Sequence, residues 1–279
     1  MRVLPDLPNL RIVPVPALHP HEHADNRRSA PLVEALRATG VLRNPPVVLP
    51  LGARLERYMV LDGANRTTAF QQLGLPHVVV QVVQAGSSSV QVETWNHVVL
   101  DMPPDELRSC IADTPELALV ASDDERAGYE LSAGGTLAYL CLADGVYDIV
   151  CETEPLEARL DNLERLVGSS LGRGRMERSN ARSAVELDRV FPSMAGLIVF
   201  RGFEVEEVVT AVAQDRLLPG GLTRFIVSPR ALRVNYPLER LASSADQEQK
   251  QAELDAWIQE RVATRRVRYY AEATFLFDE

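Results

Sequence analysis

Between Leu10 and Val83 short apolar runs alternate with helical periods, and that alternation commits the stretch to an α/β unit. Leu10 to Val15 reads as a strand and Pro31 to Thr39 as a helix ended by Gly40. Pro46 to Pro50 and Tyr58 to Leu61 read as strands, separated by a turn over Gly52 to Glu56. Asn65 to Leu73 reads as a helix closed by Gly74, and His77 to Val83 as a β-branched strand.

Ala85-Gly86-Ser87-Ser88-Ser89 is the strongest linker signal. The expected organisation is therefore a small α/β domain over residues 1–86 and a larger domain over 87–279. In the latter, strands are expected at Val90 to Val99, Thr136 to Leu142, Val146 to Cys151, Gly196 to Phe200, Leu222 to Val227 and Val267 to Phe277. Helices are expected at Glu154 to Val167, Val205 to Asp215 and Gln247 to Ala263. The polar, Arg-rich stretch Gly172 to Arg182 reads as a mobile loop. The fold class is α+β, with the active site expected in the cleft between the domains.

Composition narrows the function. Of the 279 residues 46% are apolar and 24% charged, enough for an ordinary core. The net charge is −10, which argues against a nucleic-acid partner, because phosphate-backbone binding needs a basic face. Lys250 is the sole lysine, so a fixed positive charge at an anion site must come from Arg. Three cysteines without a C-x-x-C pair argue against a disulfide framework and a thiolate zinc site; Cys141 and Cys151 read as small core residues. Without an apolar leader or a run of ~18 apolar residues, the chain is expected to be cytoplasmic and to have no membrane partner.

Two segments carry candidate chemistry. In the run from Tyr58 to Ala69 a strand ends, Gly63 permits a tight turn, and a helix starts near Asn65. Free N–H groups and the positive dipole end make such a turn a phosphate site, and Arg66, Thr67 and Thr68 add a charged fork and two hydroxyls. The same run is also compatible with an ordinary strand–turn–helix capped by Asp62. The second segment is Leu18 to His23. His19, His21 and His23 share one side of an extended chain, a spacing compatible with a transition metal but interrupted by Pro20. Glu22 faces the other way, and it reaches the turn at Asp62 and Gly63 if the two strands are neighbours.

The segment Leu18 to Pro46, with His21-Glu22 and Leu42-Arg43-Asn44-Pro45, followed by Tyr58 to Arg66, resembles the ParB/sulfiredoxin-type nucleotide-binding domain. Thr94-Trp95-Asn96-His97 and Leu218-Pro219-Gly220-Gly221-Leu222-Thr223-Arg224-Phe225 follow in order. All three together resemble the SbnI-type free L-serine kinases, over about Leu10 to the C-terminus. That resemblance implies transfer of a phosphoryl group from ATP or ADP, with Mg²⁺, to the hydroxyl of free L-serine, giving O-phospho-L-serine for siderophore precursor synthesis.

It further implies Glu22 as general base, with Asp62 as the competing base, helix cap or Mg²⁺ ligand. Gly63, Ala64, Asn65, Arg66, Thr67 and Thr68 would cradle the phosphates, and Trp95, His97, Thr223 and Arg224 would form the serine pocket. No dedicated protein metal site is expected. Relatives commonly carry His where this chain has Asn65, which can hydrogen-bond a phosphate oxygen but cannot carry a charge. A sulfiredoxin would need a nucleophilic Cys in the turn, and positions 62–66 contain none. A DNA-partition protein would bring a basic DNA-binding element. A non-catalytic nucleotide or small-ligand regulator is the remaining alternative.

Overall fold

The alternation of the first 83 residues folds as a five-stranded sheet in the order Leu10–Pro14, His77–Val82, Val47–Pro50, Tyr58–Asp62, Leu18–Pro20. The computed structural model describes residues 6–23, 26–52, 57–86, 89–152, 154–171 and 174–270. His77–Val82 runs antiparallel to Leu10–Pro14 and parallel to Val47–Pro50, which is in turn antiparallel to Tyr58–Asp62. The helix expected from Pro31 spans Asn26–Thr39 with Pro31 inside it. Proline forgoes one helical hydrogen bond there without ending the helix.

The C-terminal segment groups with this sheet. Leu10–Pro14 is an edge strand, and an edge leaves backbone groups unpaired. The helix Gln247–Ala263 covers it with two side chains one turn apart. Ile12 donates its N–H to Oε1 of Gln251 at 2.7 Å, and Nε2 of Gln247 donates to the Ile12 carbonyl at 2.9 Å. Tyr236, Leu241 and Leu254 join Ile12, Val60, Phe70 and Val79 in one apolar cluster. Lys250 is buried beside them and donates from Nζ to the Leu241 carbonyl at 2.7 Å. Contacts thus group residues 1–19, 25–84 and 228–279 as one unit and 20–24 and 85–227 as another. This grouping differs from a single boundary near residue 86, because an edge strand and its covering helix can lie at opposite ends of a sequence.

The second unit is built on a six-stranded antiparallel sheet: Arg175–Ser179, Asn96–Leu100, Gly196–Phe200, Ala138–Leu142, Gly145–Val150, Ala118–Ser122. Its helices are Pro104–Ala112, Asp124–Ala133, Leu156–Leu171 and Val205–Ala213. The sheet corrects two expectations. Gly172 to Arg182 is not wholly a loop, since Arg175–Ser179 pairs with Asn96–Leu100; a polar edge strand lacks the apolar alternation by which strands are read. Val90 to Val99 is two strands. Val90–Thr94 pairs with Thr223–Val227, whereas Asn96–Leu100 enters the large sheet.

The break falls at Trp95, whose N–H donates to the Leu222 carbonyl at 2.8 Å. Of the expected strand Val267 to Phe277, residues 267–270 are not in a strand and 271–277 lie outside the described residues. So do 53–56 of the expected turn and 87–88 of the linker. Cys110, Cys141 and Cys151 form no disulfide among the described residues, and burial pushes the Cys141 thiol up to about 12. The fold is mixed α+β. Among the described residues no helix is long and apolar enough to cross a membrane.

Candidate active site

The first cluster lies in the first unit, at the end of the Tyr58–Asp62 strand. Gly63 takes φ +100° and precedes the helix Ala64–Gln72. Its conformation favours glycine, and a Cβ there would be tight, 3.1 Å from Pro46 Cβ and 3.2 Å from the Arg66 guanidinium carbon. No side chain caps the helix, which leaves the first-turn N–H groups of Ala64, Asn65 and Arg66 open. The expected cap, Asp62, is instead ion-paired with two arginines, Arg66 and Arg230. A carboxylate drawn onto two guanidiniums is turned away from the helix N–H groups.

Arg66 Nη1 also donates to the Asn44 carbonyl at 2.6 Å. Burial pushes its pKa down, and Asp62 pulls it back up. Thr67 is buried, with its hydroxyl donating to the Gly63 carbonyl at 3.2 Å, and half-buried Thr68 donates likewise to Ala64. Arg43, Asn44 and Arg66, with the Asn26–Thr39 helix, line a cavity of about 730 Å³.

The second cluster lies in the second unit, around Glu22. Residues 21–23 dock as a short parallel bridge on Leu218: Leu218 donates its N–H to the His21 carbonyl at 2.8 Å, and His23 donates to that of Leu218 at 3.2 Å. The chain then turns through Pro219-Gly220-Gly221. Gly221 donates its N–H to Glu22 Oε2 at 2.8 Å, and Thr223 Oγ1 stands 3.5 Å from the same oxygen. Glu22 Oε1 has no partner among the described residues.

The Thr223 hydroxyl also meets His21 Nε2 at 2.7 Å, and the His21 ring packs edge-on against Phe225. His97 is fully buried, with Nε2 3.2 Å from the Gly221 carbonyl and its ring against Phe200. Burial pushes its pKa down to about 4, helped by Arg178, so the ring is neutral at pH 7. Its Nδ1 is buried without a partner.

Glu22, His97 and Thr223 thus converge on Gly221. Arg224 does not join them. Along Thr223–Val227 successive side chains alternate, so Thr223 and Phe225 are buried while Arg224 is exposed. Its guanidinium lies 4.9 Å from the Trp95 ring centre and 3.5 Å from Glu93. The sequence reading missed His21 as a partner of Thr223, along with Gly221, Arg178 and Arg230. The glycine pair after Pro219 was a visible signal; the two arginines had none. Of the spaced histidines, His21 is in this cluster, His19 accepts from Arg57 Nε at 3.3 Å, and His23 is exposed. No trio of His, Cys, Asp or Glu among the described residues is placed to hold a metal.

No family model matches the sequence. Among curated proteins, the ATP-dependent L-serine kinase SbnI of Staphylococcus aureus is 26% identical over 245 residues, spanning 86% of this chain and 87% of its own. An ATP-dependent L-serine kinase of Staphylothermus marinus is 29% identical over 89 residues, 32% of this chain and 35% of that one. Among solved structures, C-terminally truncated SbnI from Staphylococcus aureus superposes with a TM-score of 0.72 at 22% identity, covering 91% of this chain and 97% of that one. By sequence and fold, the chain is a relative of the SbnI-type serine kinases. A free serine kinase in complex with AMP has the same fold, with a TM-score of 0.70 at 15% identity over 85% of this chain and 95% of that one.

Proposed function

We propose that this protein is a kinase of free L-serine, using ATP to form O-phospho-L-serine. The serine Oγ attacks the terminal phosphorus, the bond from that phosphorus to the bridging oxygen breaks, ADP leaves, and the Oγ proton passes to Glu22. The observation that carries this reading is the tethering of Glu22. One carboxylate oxygen is held by the Gly221 N–H, while the other, without a partner among the described residues, is placed to take a proton. The adjoining Thr223 hydroxyl supports a pocket able to hold a second hydroxyl. A neutral, buried His97 adds no positive charge of its own to the Glu22 cluster.

The turn Gly63–Arg66 is assigned to the nucleotide phosphates, through open helix N–H groups and the Arg66 fork. Thr68, at the half-buried end of the first turn, is assigned with them, and Thr67 supports the turn from inside. The cavity beside Arg43 and Asn44 is within the size range of small-molecule sites and suits the nucleoside. Mg²⁺ binds phosphates with one or two carboxylates; Asp62, the carboxylate of this turn, would have to exchange its pairing with Arg66 and Arg230 to hold it. The serine pocket is assigned to His97, Thr223 and Trp95.

The names of the two curated relatives support ATP as donor and serine as acceptor. The test is incubation with Mg²⁺, ATP or ADP and each free amino acid, read by mass spectrometry. Phosphoserine formed by the wild type and lost in Glu22→Gln supports the assignment. Nucleotide binding with no phosphorylated amino acid overturns it in favour of a ligand-binding regulator.

A further inference from the structure

Among the described residues, Arg178 is a guanidinium that approaches the Glu22 cluster without being used in it. It lies on the edge strand Arg175–Ser179, directly opposite His97 in the pairing with Asn96–Leu100. Its head lies over the Gly221 backbone: a Cβ built on Gly221 would be 2.7 Å from Arg178 Nη2 and 2.8 Å from Nε. Gly221 has φ +89°, a conformation that favours glycine, and the guanidinium occupies the space a Cβ would take.

Its neighbour Arg175 is satisfied by Asp101 and Glu177. The Arg178 side chain makes no hydrogen bond or ion pair with any described residue, and the residue is exposed. Through one glycine, then, the chain presents a tethered carboxylate on the N–H side, an imidazole on the carbonyl side, and a free guanidinium over the Cα. That spread matches the functional groups of one amino acid.

We propose that Arg178, and not Arg224, binds the carboxylate of the amino-acid substrate. This rests on the serine-kinase reading above. A planar fork with unengaged donors suits a carboxylate bidentately, whereas Arg224 already stacks on Trp95 and faces Glu93 on the opposite side of its strand from Thr223. The arrangement selects α-amino acids over amino alcohols, because a substrate without a carboxylate leaves Arg178 unpaired.

The test compares L-serine with 2-aminoethanol, its analogue lacking the carboxylate, in the wild type, Arg178→Ala, Arg178→Lys and Arg224→Ala. Arg178→Ala should raise KM for L-serine about 10- to 150-fold, the equivalent of one charge-assisted hydrogen bond. It should leave KM for ATP unchanged and erase most of the preference over 2-aminoethanol. Arg178→Lys should recover only part of that preference. Thermal melting checks that each variant is folded. An active wild type with unaltered serine KM in Arg178→Ala overturns this proposal alone, and so does loss of the preference only in Arg224→Ala. A folded wild type that phosphorylates neither compound overturns the kinase reading and this proposal with it.

Discussion

Glu22 accepts the backbone N–H of Gly221 at 2.8 Å, a bond between residues 199 positions apart. It fixes one oxygen of a carboxylate that would otherwise sample several rotamers, and leaves the second oxygen available. A base held this way has already lost its conformational freedom before substrate arrives. The neutral counterpart, glutamine, can accept the same N–H through its amide oxygen but cannot accept a proton.

Glu22→Gln is therefore expected to lower kcat by about 10²–10⁴-fold with little change in the affinity for serine or nucleotide. Steady-state kinetics with isothermal titration separates the two. If Glu22→Gln keeps most of its turnover while Asp62→Asn abolishes it, the base is Asp62.

Arg66 joins the turn to the preceding loop through the Asn44 carbonyl and to Asp62 in one fork. Arg66→Ala should weaken nucleotide binding by roughly 1.5–3 kcal/mol through loss of a charge-assisted bond. It should also destabilise the first unit, because the Asn44 carbonyl loses its donor. Arg66→Lys restores the charge without the fork and should recover only part of either loss. Nucleotide titration and urea unfolding read the two effects independently; unchanged nucleotide affinity removes Arg66 from the phosphate site.

The sequence made legible those features that depend on neighbours in the chain. Strand, Gly63 turn and helix follow from local apolar period and backbone freedom, and Gln247–Ala263 from its helical pattern. What joins distant segments was not legible. Nothing near Asp62 announces that Arg230 returns to pair with it. Nothing in Arg175–Ser179 announces a strand, because an edge strand facing solvent needs no apolar alternation. Arg224 shows a different limit. The resemblance implies it in the pocket with Thr223, yet adjacent residues of a strand face opposite ways.

His97 gives the second unit a pH-dependent stability of definite sign. Its folded pKa is about 4, below the ordinary 6.5. Between those values the unfolded chain takes up a proton that the native ring refuses, so stability is intact above about pH 6.5 and falls as pH falls toward about 4. The full effect is on the order of 3 kcal/mol. Urea unfolding from pH 7 downward should show this slope, reduced in His97→Gln. In the native protein the His97 ring resonance should stay neutral at pH 5.5; titration near 6.5 would refute the assignment.

The last prediction concerns the joint between Gln247–Ala263 and the edge strand. Ile12 is buried, so its N–H cannot turn to water if Gln251 is removed. Gln251→Leu leaves that donor unsatisfied and should destabilise the first unit by about 1–3 kcal/mol, with faster amide exchange at Ile12. Gln247→Leu leaves the Ile12 carbonyl short of a donor and should cost somewhat less, since an under-satisfied carbonyl is better tolerated than an orphaned N–H. The two bonds share one residue and one helix face, so the double variant should lose less than the sum of the singles. Glu248, exposed on the same helix, serves as the control: Glu248→Ala should alter stability by no more than about 0.5 kcal/mol. Equal losses in Gln251→Leu and Glu248→Ala would mean that the helix is held by its apolar face alone, and that Ile12 exchanges its bond for water without cost.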